Sequence, residues 1–125
     1  MDENAIIQLT MDSTSDRISF LDAIKKLRIL GVWGYRVDVS SHSKTFFDQT
    51  TSFHQKSSYS VLVQRQFLKQ KIIDAVKMRQ ISKIDYDQFM EQIASAGVFD
   101  YIVDIAGKKV VYRGLFESYE EKMPI

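Results

Sequence analysis

Apolar residues in the first quarter of the chain follow a helical period and then a strand period. Between residues 19 and 30 they recur every three or four positions, as on one face of a helix. These residues are Phe20, Ile24, Leu27 and Leu30. Gly31 stands where a helix commonly ends, and apolar and polar residues alternate after it, as in a half-buried strand. The apolar positions of that strand are Trp33, Tyr35, Val37 and Val39.

The same pattern returns 66 residues further along. The stretch beginning at Gly31 is GVWGYRVDV, and the stretch beginning at Gly97 is GVFDYIVDI. A helical pattern precedes the second stretch, as it does the first. Both predicted helices begin with a capping signal: Asp22 stands three residues after Ser19, and Gln88 stands three residues after Asp85. The repetition predicts an internal duplication, with repeat one at about 1–59 and repeat two at about 60–125.

The remaining pattern completes the two repeats. It predicts helices at 3–12 and 60–80, return strands at 44–48 and 109–113, and third short strands near 53–59 and 116–122. Phe47 matches Tyr112 at an offset of 65, so we expect the second hairpin turn to be one residue shorter than the first.

Neither repeat has room for a good core of its own, which favours a single domain over residues 1–125. We predict an α+β fold that duplicates a helix-helix-β-hairpin unit around a pseudo-twofold axis. Its helices should pack on one face of an antiparallel sheet.

Composition narrows the class of protein. The chain has 125 residues, 45% hydrophobic and 26% charged, with a formal net charge of +1, which argues against a partner recognised by bulk charge. The absence of cysteine excludes disulfides and thiolate metal sites. The apolar runs are far shorter than the roughly 20 residues that span a bilayer, and the N-terminus has no signal-peptide pattern. We expect a cytoplasmic protein without metal or cofactor.

The residues around the second stretch resemble an uncharacterised bacterial and prophage family. The matching segments are Ala96–Ile105, the hairpin strand Val110–Tyr112 and the ending Glu121–Pro124. Members of that family are often labelled "phage envelope protein" and include the YdfO-like and YbcV-like proteins. The resemblance covers nearly the whole chain and implies an α+β duplicated fold, but it implies no activity.

Aromatic residues are the first candidates for a function. The chain has 8 Phe, 6 Tyr and 1 Trp, and most should lie in the core. We expect some to line a groove between the halves, with Trp33, Tyr35, Phe99 and Tyr101 as binding candidates. The leading interpretation is a non-enzymatic binding or adaptor protein, monomer or homodimer, whose partner is a protein or a small molecule.

A basic stretch at 64–83 supports an alternative. It contains one anion, Asp74, and six cations: Arg65, Lys69, Lys71, Lys77, Arg79 and Lys83. A basic helix can contact nucleic-acid phosphates, and the five candidates for such contacts are Arg65, Lys69, Lys71, Lys77 and Arg79. The other interpretation is a solvated helix face.

Catalytic chemistry has weaker candidates. Asp38 and Asp104 occupy equivalent positions and would form an acid/base pair or hold a metal in a hydrolase if the fold brought them together. They are also typical of strand ends that face water. His42, Ser43 and Asp38 could be written as a triad, but solvated turn residues are the more natural interpretation of His42 and His54. No catalytic residue is therefore assigned.

Overall fold

Four helices and six strands make up the computed structural model, which describes all 125 residues. The helices are α1 (Glu3–Thr14), α2 (Phe20–Ile29), α3 (Lys69–Gln80) and α4 (Tyr86–Ser95). The strands are β1 (Gly34–Asp38), β2 (Lys44–Phe47), β3 (Ser52–Gln55), β4 (Asp100–Asp104), β5 (Lys109–Arg113) and β6 (Ser118–Lys122). None of the four helices has the length and apolar character needed to cross a membrane.

The six strands form one antiparallel sheet in the order β3-β2-β1-β4-β5-β6. The two halves of the chain meet at its centre, where Gly34 of β1 pairs with Asp104 of β4 and Asp38 pairs with Asp100. Each half contributes three consecutive strands, so the sheet is continuous across both. The predicted α+β fold is confirmed.

The hydrophobic core lies between the four helices and one face of the sheet. Alternate residues of the strands point into it, and these inner-face residues include Tyr35, Val37, Phe46, Tyr101, Val103 and Tyr112. The helices cover them with fully buried side chains such as Ile6, Ile24, Ile72 and Met90. The alternation seen in the sequence therefore separates a helix-covered inner face from an outer face, as expected for an antiparallel sheet.

Helix starts follow the capping signals of the sequence. The Ser19 side chain accepts a hydrogen bond from the Asp22 N–H at 3.1 Å. Asp85 and Gln88 form the complete capping box, with distances of 2.8 and 2.9 Å. α3 has no side-chain cap at its start, so the sequence carries no signal for where that helix begins.

Backbone conformation repeats along the chain with the 66-residue offset. Six residues have positive φ, and they form three pairs that are each 66 positions apart: Asp16 and Ser82, His42 and Lys108, Gly31 and Gly97. The order helix, helix, strand, strand, strand also occurs twice. The internal duplication remains an interpretation of this repeated order.

The helix predicted at 60–80 is wrong in its first part. It begins at Lys69, and residues 56–68, the crossing segment, run without helix from β3 to α3. Backbone hydrogen bonds hold the crossing segment: Gln64 N–H donates to the Ala94 carbonyl and Leu68 N–H to the Ala96 carbonyl. Its apolar residues contact the core without a helical backbone, which the apolar spacing alone could not reveal.

The predicted difference in hairpin length is also wrong. Tyr35 pairs with Phe46 in the first hairpin, and Tyr101 pairs with Tyr112 in the second, so both pairs are 11 positions apart. The counterpart of Lys44 is therefore Val110 and not Lys109. A one-residue shift reverses the face on which a strand residue lies, and this shift places Lys44 on the inner face.

Candidate ligand-binding site

A cavity of about 520 Å³ lies between the helices and the inner face of the sheet. All four helices and strands β1, β2, β4, β5 and β6 contribute to its lining, which is mostly apolar. Voids larger than a water molecule are few in protein interiors, whereas sites for small molecules typically measure about 300–1,000 Å³. The cavity has the size and character of a ligand site.

Four of the six tyrosines in the chain line the cavity: Tyr35, Tyr86, Tyr101 and Tyr112. Of the six tyrosines in the chain, Tyr59 and Tyr119 donate hydrogen bonds to carboxylates. The hydroxyl of Tyr86 is buried and has no partner. The Tyr86 hydroxyl lies close enough to the Tyr101 hydroxyl to affect the pKa of Tyr101. The two hydroxyls are not, however, in hydrogen-bond geometry.

Burial keeps the cavity tyrosines uncharged. It raises the pKa of Tyr101 to about 12 and raises the pKa of Tyr35, Tyr86 and Tyr112 well above the ordinary value. Each hydroxyl can therefore both donate and accept a hydrogen bond at neutral pH. The cavity offers a ligand apolar surface together with neutral hydrogen-bonding groups.

Most of the exposed lining residues lie at the two helix-helix turns, which marks the mouth of the cavity. They are Asp16, Ser19 and Phe20 from the first half, and Gln80 and Ser82 from the second. An ion pair joins the two turns, with Arg79 Nη1 2.8 Å from Asp16 Oδ1. The mouth is therefore bridged by a contact between the two halves of the chain.

The structure divides the four predicted binding aromatics. Tyr35 and Tyr101 line the cavity, but Trp33 and Phe99 do not. Trp33 is 47% exposed, and Phe99 borders a separate shallow depression beside Phe116. Trp33 and Phe99 precede their strands by one residue, so the alternation that places Tyr35 and Tyr101 inside does not govern them.

Two important cavity residues were missed by the sequence analysis. Tyr86 was not singled out in the second predicted helix, and Lys44 was covered only by the return strand predicted at 44–48. The 66-residue offset, if kept through the hairpin turn, would have placed Lys44 opposite Val110 on the inner face. Its unusual position would then have been visible from the sequence.

The five basic candidates for nucleic-acid contact do not share one face. Arg65 lies in the crossing segment before α3. At about 100° per residue, Lys69, Lys71 and Lys77 point in different directions around α3. Arg79 is turned toward the cavity mouth, where it pairs with Asp16.

The fold also separates the two candidate carboxylates. Asp38 and Asp104 lie at opposite ends of the β1·β4 pair, about 13 Å apart at the usual rise along a strand. Asp38 accepts a hydrogen bond from the Ser40 N–H at 3.0 Å, and Asp104 accepts one from the Gly107 N–H at 2.8 Å. Both carboxylates stabilise turns, and no group of three or more acidic or histidine side chains in the structure could hold a metal.

His42 is buried, so its interpretation as a solvated turn residue is wrong. It is 5% exposed, stacks on Tyr59 with ring centres 4.0 Å apart, and meets Tyr86 edge-on at 5.8 Å. Burial, followed by the nearby Lys44, lowers its pKa. The hydroxyl and N–H of Ser40, and not His42, bind the Asp38 carboxylate, so no triad forms. His54 is exposed and contacts Thr45 at 2.9 Å.

The outer face of the sheet carries an ion-pair network that the sequence analysis did not predict. Asp100 accepts hydrogen bonds from Arg36 at 2.7 Å and from Arg113 at 2.6 and 2.7 Å. Burial alone would raise the pKa of Asp100, but the hydrogen bonds from Arg113 and Arg36 outweigh it and lower the pKa. The network joins β1, β4 and β5 across the centre of the sheet.

Fold and cavity together define a class of protein: an α+β protein with a ligand-sized cavity between a helical layer and an antiparallel sheet. Residues 8–119 match the family described as "Protein of unknown function (DUF1398)", and the chain belongs to this family. Among curated proteins the comparison finds no match. The family description names no activity, and the "phage envelope" label remains a resemblance.

Proposed function

We propose that the protein is a non-enzymatic small-molecule binding protein whose ligand occupies the tyrosine-lined cavity. The observation that carries this proposal is the cavity of about 520 Å³ within a chain of only 125 residues. A space of this size has room for a small molecule, which would contact the largely apolar lining.

The lining indicates the kind of molecule. Rings from Tyr35, Tyr101, Tyr112 and Phe89 and aliphatic side chains such as Leu27 face the same space. Aromatic walls favour flat or cyclic apolar ligands, while the hydroxyls favour a ligand with a few polar atoms. We therefore expect a compact aromatic or alicyclic molecule with a polar substituent.

We expect the uncharged fluorophore N-phenyl-1-naphthylamine to bind one site per chain. The apolar lining would increase its fluorescence, and ligands of this size typically bind with dissociation constants on the order of 10–100 μM. The measurement is a fluorescence titration, preceded by solvent extraction of the protein to remove any molecule retained during purification. A signal that does not saturate, or that appears only in unfolded protein, would contradict the proposal.

Two other proposals, nucleic-acid binding and an adaptor role, differ from cavity binding in their salt dependence and in whether they compete with the fluorophore. Nucleic-acid binding through the basic residues of 64–83 would weaken steeply as salt is raised, whereas apolar binding in the cavity hardly responds. An adaptor role would use exposed aromatics such as Trp33 and Phe116, which are 47% and 97% exposed. Binding to those surfaces would not compete with the fluorophore for the cavity.

A further inference from the structure

Lys44 interrupts the apolar inner face of the sheet. It lies there between Val37 of β1 and Gln55 of β3, and it lines the cavity. Its counterpart in the second half is Val110, which is 6% exposed. Because a valine packs at this position in the second half, the fold does not require a lysine at the equivalent position in the first half.

The Lys44 ammonium forms no ion pair within the protein. None of the six ion pairs includes it, and Nζ lies over the ring of Tyr86, 4.9 Å from the ring centre. Burial lowers the pKa of Lys44 to about 8 because the charged form loses hydration. A charge held in this setting is costly unless something pairs with it.

The buried polar atoms without hydrogen-bond partners are concentrated around the same residue. There are three in the chain: His42 Nε2, Gln55 Oε1 and Tyr86 Oη. Gln55 is the cross-strand neighbour of Lys44, the ring of Tyr86 contacts its ammonium, and His42 packs against Tyr86. Native proteins leave few such atoms. Of the three, the Tyr86 hydroxyl belongs to a residue that lines the cavity together with Lys44, so it is the one that a ligand there could reach.

We propose that the ligand is an aromatic monocarboxylate whose carboxylate binds the Lys44 ammonium at this end of the cavity; this rests on the proposed small-molecule function. A single negative charge fits because, of the two other cations in the lining, Arg79 is already paired with Asp16 at the mouth and Lys122 is exposed to solvent. The hydroxyl of Tyr86, which has no partner, is a second donor for the carboxylate. The aromatic skeleton would lie against the tyrosine rings.

The test compares 2-naphthoate with its uncharged analogue 2-naphthamide by isothermal titration calorimetry. Wild-type protein is expected to bind the carboxylate about 10-fold to 100-fold more tightly than the amide, as for a charge-assisted hydrogen bond in a partly buried site. The variant Lys44→Met keeps the length of the side chain without the charge and should lose this preference. The matched control Lys109→Met removes a half-buried lysine of the outer face of the sheet, which pairs with Glu120, and this variant should retain the preference.

Each outcome decides the inference. A preference for naphthoate that survives in Lys44→Met, or equal binding of both probes to wild type, overturns it. If Lys44→Met does not fold, Lys44→Val takes its place, since the second half folds around Val110 at this position. The proposed function is judged separately by N-phenyl-1-naphthylamine, whose binding requires no charge and should persist in both variants.

The affinity for naphthoate is also expected to depend on pH. Because the lowered pKa of Lys44 is about 8, its ammonium loses its proton above that pH, and naphthoate binding should weaken by up to tenfold per further pH unit. The neighbouring titratable groups should not change charge in this range, because the pKa of His42 is lowered, which keeps it neutral, and the pKa of Tyr86 is raised, which keeps it protonated. The nearby Asp87 carboxylate accepts a hydrogen bond from the Tyr59 hydroxyl. Naphthoate affinity that is flat from pH 7 to 9.5 would overturn the inference, and naphthamide supplies the constant reference.

Discussion

Ala23→Phe is expected to weaken binding of N-phenyl-1-naphthylamine at least tenfold without reducing the stability of the protein. Ala23 is buried in α2 and lines the cavity, so a larger side chain would occupy space that the ligand needs. The position 66 residues later is Phe89, which also lines the cavity. Filling a cavity commonly raises the free energy of unfolding by about 0.5–2 kcal/mol. Fluorescence titration and urea denaturation measure the two effects.

The control for this variant is Lys25→Phe, which adds the same ring to an exposed position of α2. It should leave both the affinity and the size of the fluorescence change unaltered. If Ala23→Phe binds the fluorophore as tightly as wild type, the binding site lies elsewhere. If it loses binding and also unfolds, the loss says nothing about the cavity, and the smaller Ala23→Leu replaces it.

Gly97→Ala is expected to cost more free energy of unfolding than Gly31→Ala, by about 1–3 kcal/mol. Both glycines have nearly the same φ, +87° and +85°, where an alanine is strained by roughly 1–2 kcal/mol. They differ in surroundings, since a Cβ at Gly31 would meet nothing within 4 Å. At Gly97 it would overlap the backbone carbonyl of Gln66. The difference in free energy of unfolding between the two variants therefore reports how closely the crossing segment approaches the end of α4.

Urea denaturation of the two variants measures this difference directly. A clearly larger loss at Gly97 supports the placement of the crossing segment against α4, which the backbone hydrogen bonds of Gln64 and Leu68 also define. Equal losses would mean that only the left-handed conformation matters. The crossing segment would then lie further from Gly97 than the structure has it.

The parts of the fold that the sequence predicts are those with two independent signals. The helices before Gly31 and Gly97 have an apolar stripe and a capping residue, and the strands after them alternate over several residues. The start of α3 has neither a cap nor a glycine, so the apolar residues of the crossing segment were read as one more helical turn. Apolar spacing alone does not distinguish a helix from an extended segment that packs on a core.

The candidate site was harder to predict because it depends on register. Tyr35 and Tyr101 could be chosen from alternation within their own strands. Lys44 could not, because matching Phe47 with Tyr112 moved the return strand by one residue and so exchanged its faces. The cavity also depends on the distance between the helices and the sheet, and this distance cannot be predicted from a local pattern of residues.

The central claim is that the ligand occupies the cavity, and the most direct measurement is NMR of protein with ring-¹³C-labelled tyrosine during titration with N-phenyl-1-naphthylamine. The six tyrosines provide their own controls, since four line the cavity while Tyr59 and Tyr119 do not. The account predicts that the ring signals of Tyr35, Tyr86, Tyr101 and Tyr112 shift most and saturate together. Saturable binding that leaves these four signals in place, or that shifts only Tyr59 or Tyr119, would contradict it.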